Sequence, residues 1–506
     1  MKKILITHKA AIGYAILIGL ITLLPRLTGG FSVDQYLWAE DGNIFINQAS
    51  MGMSALWEPY AGYLHLYPRI IAWISMGLPI NAVPTLFFAG WLFIFIIMVI
   101  LIMNRSLETG IGFWGGLILI AVISLQPHLG EMFFTITNAQ WMIGVALSLY
   151  LLVDSDEKFS YLKMFALAIA CLTGPFSAIL LPVLFLKGLI FKDFKKKSAI
   201  YLIVLTCALV QILVFLIVGR PSSQGLDPNL LNWIKTAGIF LFFGGGQWLI
   251  CIIILSLTFW STAAYILFRS FRTSNEAMVR DRTMSLLLVF AALLVFLAAI
   301  FANRHAPAVL SPIGGAARYY IIPYALIFFA MALVARHFTY ERILLIGSLS
   351  IICILQMGSI ERPSLYFYAF TEFARYKENL MIPINPSQPT YPGWLINGNL
   401  VAPAKIPIKP ITLYELPSPS IETNWCPNSQ YIGLEINMTQ DQNGWVQAFW
   451  SANNNFSQKN SLQRYYPEGL IDAHFAFPNN DGPLFFRLDT SAQINSIDIY
   501  CLGASL

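Results

Sequence analysis

Side chains able to do chemistry gather between residues 31 and 69, in the stretch FSVDQYLWAEDGNIFINQASMGMSALWEPYAGYLHLYPR. Two adjacent carboxylates, Glu40 and Asp41, come first and precede Gly42. An aromatic and basic group follows, made up of Trp57, Tyr60, Tyr63, His65, Tyr67 and Arg69. A carboxylate can accept a proton from a hydroxyl group, and a guanidinium can bind phosphate. The combination predicts a sugar-phosphate site; the alternative is a solvated loop whose carboxylates only cap a helix.

A second polar loop, QPHLGEMFFTITNAQW, carries Glu131, Asn138 and Gln140 beside Trp141. Carboxylate and amide groups next to an aromatic ring suit a ligand rich in hydroxyl groups, such as a sugar. Trp141 has an alternative role in the belt of aromatic residues at a membrane surface. Glu131, Asn138 and Gln140 are therefore candidate substrate-binding residues.

A third loop, NRHAPAVLSPIGGAARYY, holds Arg304, His305, Arg318 and Tyr319 between two apolar segments. Arginine presents a fork of donors that matches phosphate, so an anionic ligand would explain two arginines in one loop. The alternative is that both arginines reach lipid head groups. The predicted donor-binding group also takes residues from the first stretch, namely Tyr60, His65 and Arg69.

The usual signatures of nucleotide, hydrolase and metal chemistry are missing from the sequence. It contains no P-loop, no G-x-G-x-x-G after a strand and no G-x-S-x-G. His65, His128 and His305 lack the spacing of paired metal ligands, and no C-x-x-C occurs. We therefore expect neither a metal ion nor another cofactor.

Composition identifies the class of protein that must position these residues. The 506 residues are 57% hydrophobic and only 11% charged, with a mean hydropathy of +0.65. Soluble domains carry roughly a quarter charged residues, so we expect an integral membrane protein with several spans. The formal net charge of +5 is small for this length and does not favour a nucleic-acid partner.

Hydropathy predicts about eleven transmembrane helices, since roughly 20 apolar residues are needed to cross a bilayer. They lie near 10–28, 82–103, 108–126, 137–153, 161–173, 175–191, 198–218, 248–268, 284–302, 319–335 and 343–359. Lysine and arginine favour the cytoplasmic loops, and they cluster at 187–197, 269–282 and 336–342. If the N-terminus is cytoplasmic, all three groups also lie in the cytoplasm. This count requires that His65–Gly77 is a helix lying at the membrane surface and not a full span. Arg304 and Arg318 then lie outside, where cations are unusual.

The amino-acid composition of the chain changes after residue 360. Residues 361–424 are rich in proline, asparagine and glycine and are predicted to be an extracytoplasmic linker. Residues 425–506 alternate apolar and polar positions between turns, which predicts a β-sandwich-like domain outside the membrane. Cys426 and Cys501 could pair there if the compartment is oxidising. The expected fold is thus a mostly α polytopic domain, 1–360, with a first outer loop at 30–81, followed by this C-terminal domain.

Several motifs on the predicted outer ends resemble one enzyme superfamily. WAEDG and PYAGYLHLYPR in the first loop, then TNAQW, TGPF and GGAARYY, resemble the GT-C superfamily of polyprenyl-phosphate-dependent glycosyltransferases. Within it, the size and the outer C-terminal domain are similar to those of the bacterial and phage serotype-converting O-antigen glucosyltransferases. The resemblance covers most of the membrane region and is most specific in the first loop.

The resemblance implies a bacterial inner-membrane enzyme whose active site and C-terminal domain face the periplasm. The donor would be undecaprenyl-phosphate glucose, the acceptor a sugar hydroxyl of lipid-linked O-antigen, and no metal would be needed. A loop carboxylate would be the catalytic base, Asp41 or Glu40. Several relatives have Asp-Asp or Asp-Glu where this sequence has Glu-Asp, so the choice between the two stays open.

The implied chemistry agrees with the residues. A sugar hydroxyl is a poor nucleophile, so a carboxylate must take its proton, and Asp41 is favoured because Gly42 would allow close approach of substrate. Arg304, Arg318 or Arg69 would stabilise the leaving phosphate of an inverting transfer. The competing class is a transporter or flippase of lipid-linked sugars, which would bury ionisable groups at mid-membrane. Few polar residues, Gln211 among them, lie mid-span, which favours an enzyme over a transporter. A third class is a non-catalytic sugar-binding anchor, but an anchor would not need eleven spans.

The loop charges predict that the N-terminus lies inside and the C-terminus outside. Alkaline phosphatase fused at Leu506 should therefore be active, because this reporter enzyme folds only outside the cytoplasm. A fluorescent protein fused at the same position should be dark. A fluorescent cytoplasmic signal at Leu506 would contradict the outer location of the C-terminal domain.

Overall fold

A computed structural model describes most of the chain. The described residues are 7–27, 32, 36–126, 130–154, 160–219, 225–243, 248–273, 275–310, 316–355, 365–377, 379–386, 394–397, 410–414, 421–423, 426, 429–451, 455–457, 460–479 and 484–503. His128, one of the three histidines considered from the sequence, lies outside them.

The chain forms two compact units. Unit 1 comprises Met1–Gly29, Leu56–Ile70 and Ala89–Ile360, and unit 2 comprises Gly30–Ala55, Ile71–Phe88 and Glu361–Leu506. The sequence instead groups the whole first outer loop, 30–81, with residues 1–360.

Specific contacts explain why part of that loop belongs to unit 2. The Asn47 side chain donates to the carbonyl of Leu395 at 3.2 Å and accepts from the Asn397 amide at 3.1 Å. Trp38 also pairs with Asn385 as an isolated parallel β-bridge. These partners lie about 350 residues further along the chain.

Fifteen α-helices occur among the described residues. They are α1 (His8–Ile21), α2 (Asn47–Ala49), α3 (Leu66–Ser75), α4 (Val83–Glu108), α5 (Gly112–Ser124), α6 (Ala139–Leu152), α7 (Tyr161–Cys171), α8 (Phe176–Phe191), α9 (Ser198–Val218), α10 (Leu230–Leu241), α11 (Leu249–Phe271), α12 (Glu276–Ala302), α13 (Ile321–Ala335), α14 (Thr339–Leu355) and α15 (Phe367–Phe373). A π-helix at Asp41–Ile46 and several 3₁₀ turns complete the helical structure.

Six helical stretches of the described chain are long and apolar enough to cross a membrane. They are His8–Arg26, Ile80–Glu108, Ser198–Val218, Leu249–Phe271, Glu276–Ala302 and Ala317–Ala335. The prediction of a mostly helical membrane protein is confirmed at this level. The remaining five predicted spans contain α5, α6, α7, α8 and α14, which have only 11 to 17 residues. At 1.5 Å per residue, a 13-residue helix covers about 20 Å of a core about 30 Å thick.

Helix α13 is the most deeply buried helix of unit 1. Every residue from Ile321 to Ala335 except Ala332 is buried. It packs against α12, α6 and α5, and an aromatic stack of Phe240, Phe296 and Tyr324 lies along it. Because α13 is fixed on so many sides, the residues at its two ends are held in place.

Unit 2 contains the C-terminal sheet region that the sequence predicts. Its strands are β1 (Met381–Pro383), β2 (Leu395–Asn397), β3 (Ile411–Leu413), β4 (Ile421–Thr423), β5 (Tyr431–Gln440), β6 (Gly444–Ser451), β7 (Ser461–Tyr466), β8 (Gly469–Pro478), β9 (Leu484–Thr490) and β10 (Gln493–Leu502). They form an antiparallel pair, β1-β2, and two four-stranded antiparallel sheets in the orders β3-β10-β5-β8 and β4-β9-β6-β7.

The two four-stranded sheets share aromatic contacts. Trp450 of β6 stacks on Phe477 of β8 with ring centroids 4.6 Å apart, and Phe477 also stacks on Phe486 of β9 at 6.1 Å. Cys426 and Cys501, the pair considered from the sequence, are joined by a disulfide with a Cα–Cα distance of 5.3 Å. The bond ties the segment before β5 to β10.

The disulfide predicts four free thiols in the denatured, unreduced protein, on Cys171, Cys207, Cys251 and Cys353. The bond closes a loop of 75 residues, so Cys501→Ser should destabilise unit 2 by about 4 kcal/mol, because the unfolded chain regains loop entropy. Thiol titration and denaturant unfolding measure the two effects. Six titratable thiols in protein purified from its membrane without reductant would contradict the bond.

Candidate functional site

All ten predicted substrate-binding residues lie in unit 1, where two short turns and the start of α6 bring five of them together. Arg318 is on the 3₁₀ turn Ala317–Tyr320 that leads into α13, and Glu131 is on the 3₁₀ turn Gly130–Met132 that precedes α6. Their side chains form an ion pair with Arg318 Nη1 2.8 Å from Glu131 Oε2. We refer to Glu131, Asn138, Gln140, Trp141, Arg318 and Tyr319 as the Glu131 cluster.

The start of α6 fixes the geometry of the Glu131 cluster. Asn138, the N-cap of α6, donates from Nδ2 to the carbonyl of Glu131 at 2.8 Å and so holds the turn before the helix. In the first turn of α6, the Trp141 ring lies edge-on to Tyr319 at 5.0 Å and to Phe176 at 5.3 Å. Charged, amide and aromatic groups therefore adjoin one another at the start of α6.

Two buried polar atoms of the Glu131 cluster make no hydrogen bond within the described structure. Gln140 and Trp141 are each 5% exposed, and both Gln140 Oε1 and Trp141 Nε1 lack a protein partner. Gly174 lies against the first of them, since a Cβ at Gly174 would come within 2.9 Å of Gln140 Oε1. Gln140 Oε1 is an acceptor and Trp141 Nε1 is a donor, so either atom can bond to a hydroxyl group. Leaving such groups unsatisfied costs about 1–3 kcal/mol each, so a water or a ligand hydroxyl would stabilise them.

Backbone hydrogen bonds join the first predicted stretch to the turn between α7 and α8. The Gly174 amide donates to the Leu64 carbonyl at 2.9 Å, and the Tyr67 amide donates to Thr173 Oγ1 at 3.0 Å. Gln211 of α9 accepts from the Leu64 amide at 2.9 Å and donates to the Gly174 carbonyl at 3.0 Å. Gln211, the mid-span polar residue seen in the sequence, therefore satisfies non-helical backbone.

His65, a predicted donor-binding residue, is deeply buried. It is 1% exposed and lies beside the rings of Tyr60 and Tyr63, at 5.6 and 4.7 Å. Burial, together with the charge of Arg69, lowers the pKa of His65 to about 3. The imidazole is therefore neutral at ordinary pH. Tyr60 belongs to the same aromatic group.

Arg69 keeps its charge despite being only 2% exposed. Burial lowers its pKa to about 10, and the carboxylate of Glu58 acts in the opposite direction. The residue is therefore a buried cation on α3.

Arg304 and His305 have a different environment from Arg318. The Arg304 guanidinium lies over the Phe301 ring at 4.7 Å and donates to the Phe301 carbonyl at 3.2 Å, at the end of α12. Its own carbonyl accepts from the Asp227 amide at 2.9 Å, and His305 is exposed. The Arg304 side chain therefore contacts the end of α12, and its backbone contacts the segment before α10.

The two predicted catalytic carboxylates lie in unit 2. Asp41 is 1% exposed, and its Oδ2 accepts from the Trp38 amide at 3.2 Å, while the Asp41 amide donates to the Trp38 carbonyl at 2.7 Å. Ala39, which follows Trp38 in the turn, has a positive φ of 38°, and its amide donates to the Asn385 carbonyl at 2.5 Å. Asp41 thus stabilises the turn at the start of the π-helix, whereas Glu40 is partly exposed.

The reason given above for preferring Asp41 is wrong. A Cβ at Gly42 would lie 2.5 Å from Ile396 Cγ1 and 2.6 Å from Ile384 Cδ1. The missing side chain therefore makes room for two isoleucines of the β1-β2 region and not for a substrate. Nothing in the sequence near Gly42 indicates these partners, because they lie in the proline-rich segment after residue 380. Gly174 and Phe176, also missed as site residues, belong to the TGPF motif.

Within the described ranges, no group of three or more histidine, cysteine, aspartate or glutamate side chains could hold a metal ion. No model of a known protein family, no curated protein and no solved structure matches the chain. The resemblance to the GT-C superfamily accordingly stands on the quoted motifs alone.

The hydrogen bond to Trp38 predicts different effects for two substitutions of Asp41. Asp41→Ala removes the acceptor and should destabilise the protein by about 1–3 kcal/mol. Asp41→Asn keeps an oxygen acceptor of the same shape and should unfold at nearly the wild-type temperature. Thermal unfolding of the purified full-length protein measures both, with wild-type protein as the reference. A wild-type midpoint for Asp41→Ala would show that Asp41 has no such structural role.

Proposed function

We propose that the chain is an integral-membrane glycosyltransferase. It would transfer a hexosyl residue, glucosyl by resemblance, from an undecaprenyl-phosphate donor to a hydroxyl group of lipid-linked O-antigen. The transfer would occur at the periplasmic face of a bacterial inner membrane. The observation that carries this proposal is the Glu131 cluster, where an arginine–glutamate pair adjoins two aromatic rings and two buried polar atoms without partners.

Each part of the cluster has a role in this reaction. A guanidinium carries five N–H donors in a planar fork, so Arg318 would bind the donor phosphate as well as Glu131. Glu131 would hold that guanidinium in place. The rings of Trp141 and Tyr319 would contact the sugar, and Gln140 Oε1 and Trp141 Nε1 would bind its hydroxyl groups. As the bond from the anomeric carbon to phosphate breaks, charge grows on the phosphate, and a preorganised cation favours that change.

The resemblance implies that one of the adjacent carboxylates of unit 2 would be the base, a role that rests on the resemblance and not on the Glu131 cluster. The acceptor oxygen attacks the anomeric carbon, the carboxylate takes the hydroxyl proton, and polyprenyl phosphate leaves, which inverts the configuration. Asp41 is buried and bonded to the Trp38 amide, whereas Glu40 is partly exposed. We therefore favour Glu40 as the base, in contrast to the preference drawn from the sequence.

The finer architecture belongs to the same proposal. Each of the eleven predicted spans contains a helix, which supports a membrane domain completed by the five shorter ones. The contacts of Trp450 and Phe486 with Phe477 support a β-sandwich built from the two four-stranded sheets. The disulfide supports an oxidising, periplasmic location for this domain.

A transporter or flippase of lipid-linked sugars remains the alternative function. It would need a polar group at mid-membrane that can exchange partners with its cargo. Gln211, the residue that the sequence offers for this role, bonds to the backbone of Leu64 and Gly174 instead. That arrangement favours the enzyme.

The proposal is tested by the O-antigen made with and without the chain in a host that supplies both substrates. Wild-type protein should add hexose to the repeat unit. Arg318→Gln should slow the addition roughly 10- to 100-fold at limiting donor, the effect of losing a hydrogen bond to a charged group. Arg304→Gln is the matched control and should stay near the wild-type rate, since Arg304 is held by Phe301.

Two further comparisons make the result decisive. Glu40→Gln should lower the rate roughly 10²–10⁴-fold, as expected for a general base, and Asp41→Asn should lower it less. The double variant Glu131→Gln/Arg318→Gln keeps a neutral hydrogen-bonded pair and separates loss of folding from loss of phosphate binding. Unchanged O-antigen with well-expressed wild-type protein would refute the proposed function, and equal rates for Arg318→Gln and Arg304→Gln would refute the phosphate site.

A further inference from the structure

An apolar cavity of about 570 Å³ lies among α5, α11, α13 and α14. Its walls include Trp114, Leu119, Phe259, Phe328, Met331 and Leu349. Trp114 and Ile343, also in the wall, are 72% and 60% exposed, so the cavity opens on the outer surface of these helices. The volume is within the range of about 300–1,000 Å³ that binds small organic ligands. An apolar opening on membrane helices admits an apolar chain.

Two arginines are the charged residues in the cavity wall, Arg336 and Arg342. Arg336 Nε lies 2.7 Å from Asp281 Oδ2, and Arg336 Nη1 donates to the Thr109 carbonyl. Its charge is therefore satisfied by the protein. Arg336 follows the last residue of α13, whereas Arg318 precedes the first. Fifteen helical residues separate the two by about 22 Å, so this cavity is distinct from the Glu131 cluster.

Arg342 has no acidic partner among the described residues, unlike two other arginines near this end of the helices. Arg269 pairs with Glu341 at 2.6 Å, and Arg105 pairs with Glu108 at 2.6 Å. Across the described portions of the chain, no acidic side chain pairs with Arg342, and its side chain is exposed. An apolar cavity with an unpaired guanidinium in its wall is complementary to a ligand with an apolar chain and an anionic head.

We propose that this cavity binds an anionic phospholipid of the surrounding bilayer. One acyl chain would occupy the space between α5, α13 and α14, and the phosphate would bind the Arg342 guanidinium through its fork of donors. The loop charges predict that residues 336–342 face the cytoplasm, so the lipid would belong to the inner leaflet. The site is independent of the proposed transferase activity.

A glycine in the wall allows the cavity to be filled without disturbing its neighbours. Gly347 of α14 lines the cavity, and a Cβ built there meets no atom within 4 Å. Gly347→Leu should therefore occupy the chain-binding space, and it also improves helix propensity. Gly238 of α10 has the same open surroundings away from the cavity, so Gly238→Leu is the matched control. Lys195→Gln, which removes an exposed cation elsewhere, is the control for Arg342→Gln.

The test uses full-length protein in phosphatidylcholine nanodiscs with a trace of photoactivatable lipid carrying a diazirine in one acyl chain. Labelled peptides are mapped by mass spectrometry for a phosphatidylglycerol probe and a phosphatidylcholine probe. Phosphatidylglycerol should label α5, α13 and α14 roughly fivefold more than phosphatidylcholine, the effect of about 1 kcal/mol per cation near a membrane surface. Arg342→Gln should bring that ratio close to one, and Gly347→Leu should reduce labelling by both probes, while the two controls behave as wild type.

Three outcomes would overturn the proposal. Equal labelling of the wild-type cavity by both probes would remove the anionic head group from it. Unchanged labelling in Gly347→Leu would place the acyl chain elsewhere. Displacement of the phosphatidylglycerol label by equimolar undecaprenyl phosphate would assign the cavity to the polyprenyl carrier and not to a bilayer phospholipid.

Discussion

The hydrogen bonds of Gln211 are the constraint on which the arrangement of unit 1 depends. Backbone that leaves helical geometry among apolar helices must find partners inside the protein, because lipid offers none. Leu64 and Gly174 are such positions, and one glutamine side chain on α9 bonds to both. The bonds hold the segment before α3 against the turn between α7 and α8. Replacing Gln211 by an apolar residue would leave buried amide and carbonyl groups without acceptors or donors.

The turn between α7 and α8 also shapes the Glu131 cluster. Gly174 lies so close to Gln140 Oε1 that any side chain at position 174 would collide with it, and Phe176 supports the Trp141 ring. On the other side, α13 fixes Arg318 and Tyr319 because almost its whole length is buried. The cluster is therefore built from two rigid supports, which the proposed binding of a phosphate and a sugar would require.

Hydropathy predicted the helices of unit 1 well, since long apolar segments have few other ways to satisfy their backbone. Hydropathy did not predict that five of these helices would be short, because helix caps and turns determine where a helix ends. It also did not predict α10. The residues of the Glu131 cluster were chosen from their types and from their predicted positions on outer loops. The environments of Asp41 and His65 were not predicted, because each depends on burial and on residues distant in sequence. The region of Asp41 contacts Asn385 and Ile396, and His65 pairs with Thr173. Likewise, nothing in the third loop distinguished Arg304, which covers a helix end, from Arg318, which pairs with Glu131.

The central claim is that the chain breaks the bond between a hexose and polyprenyl phosphate. The most direct measurement incubates purified protein in liposomes with undecaprenyl-phosphate [¹⁴C]glucose and lipid-linked O-antigen, and separates the two lipids afterwards. The account predicts that radioactivity moves covalently to the O-antigen and that free undecaprenyl phosphate appears in equal amount. Radioactivity that stays on undecaprenyl phosphate and only changes leaflet would contradict the account and identify the chain as a transporter.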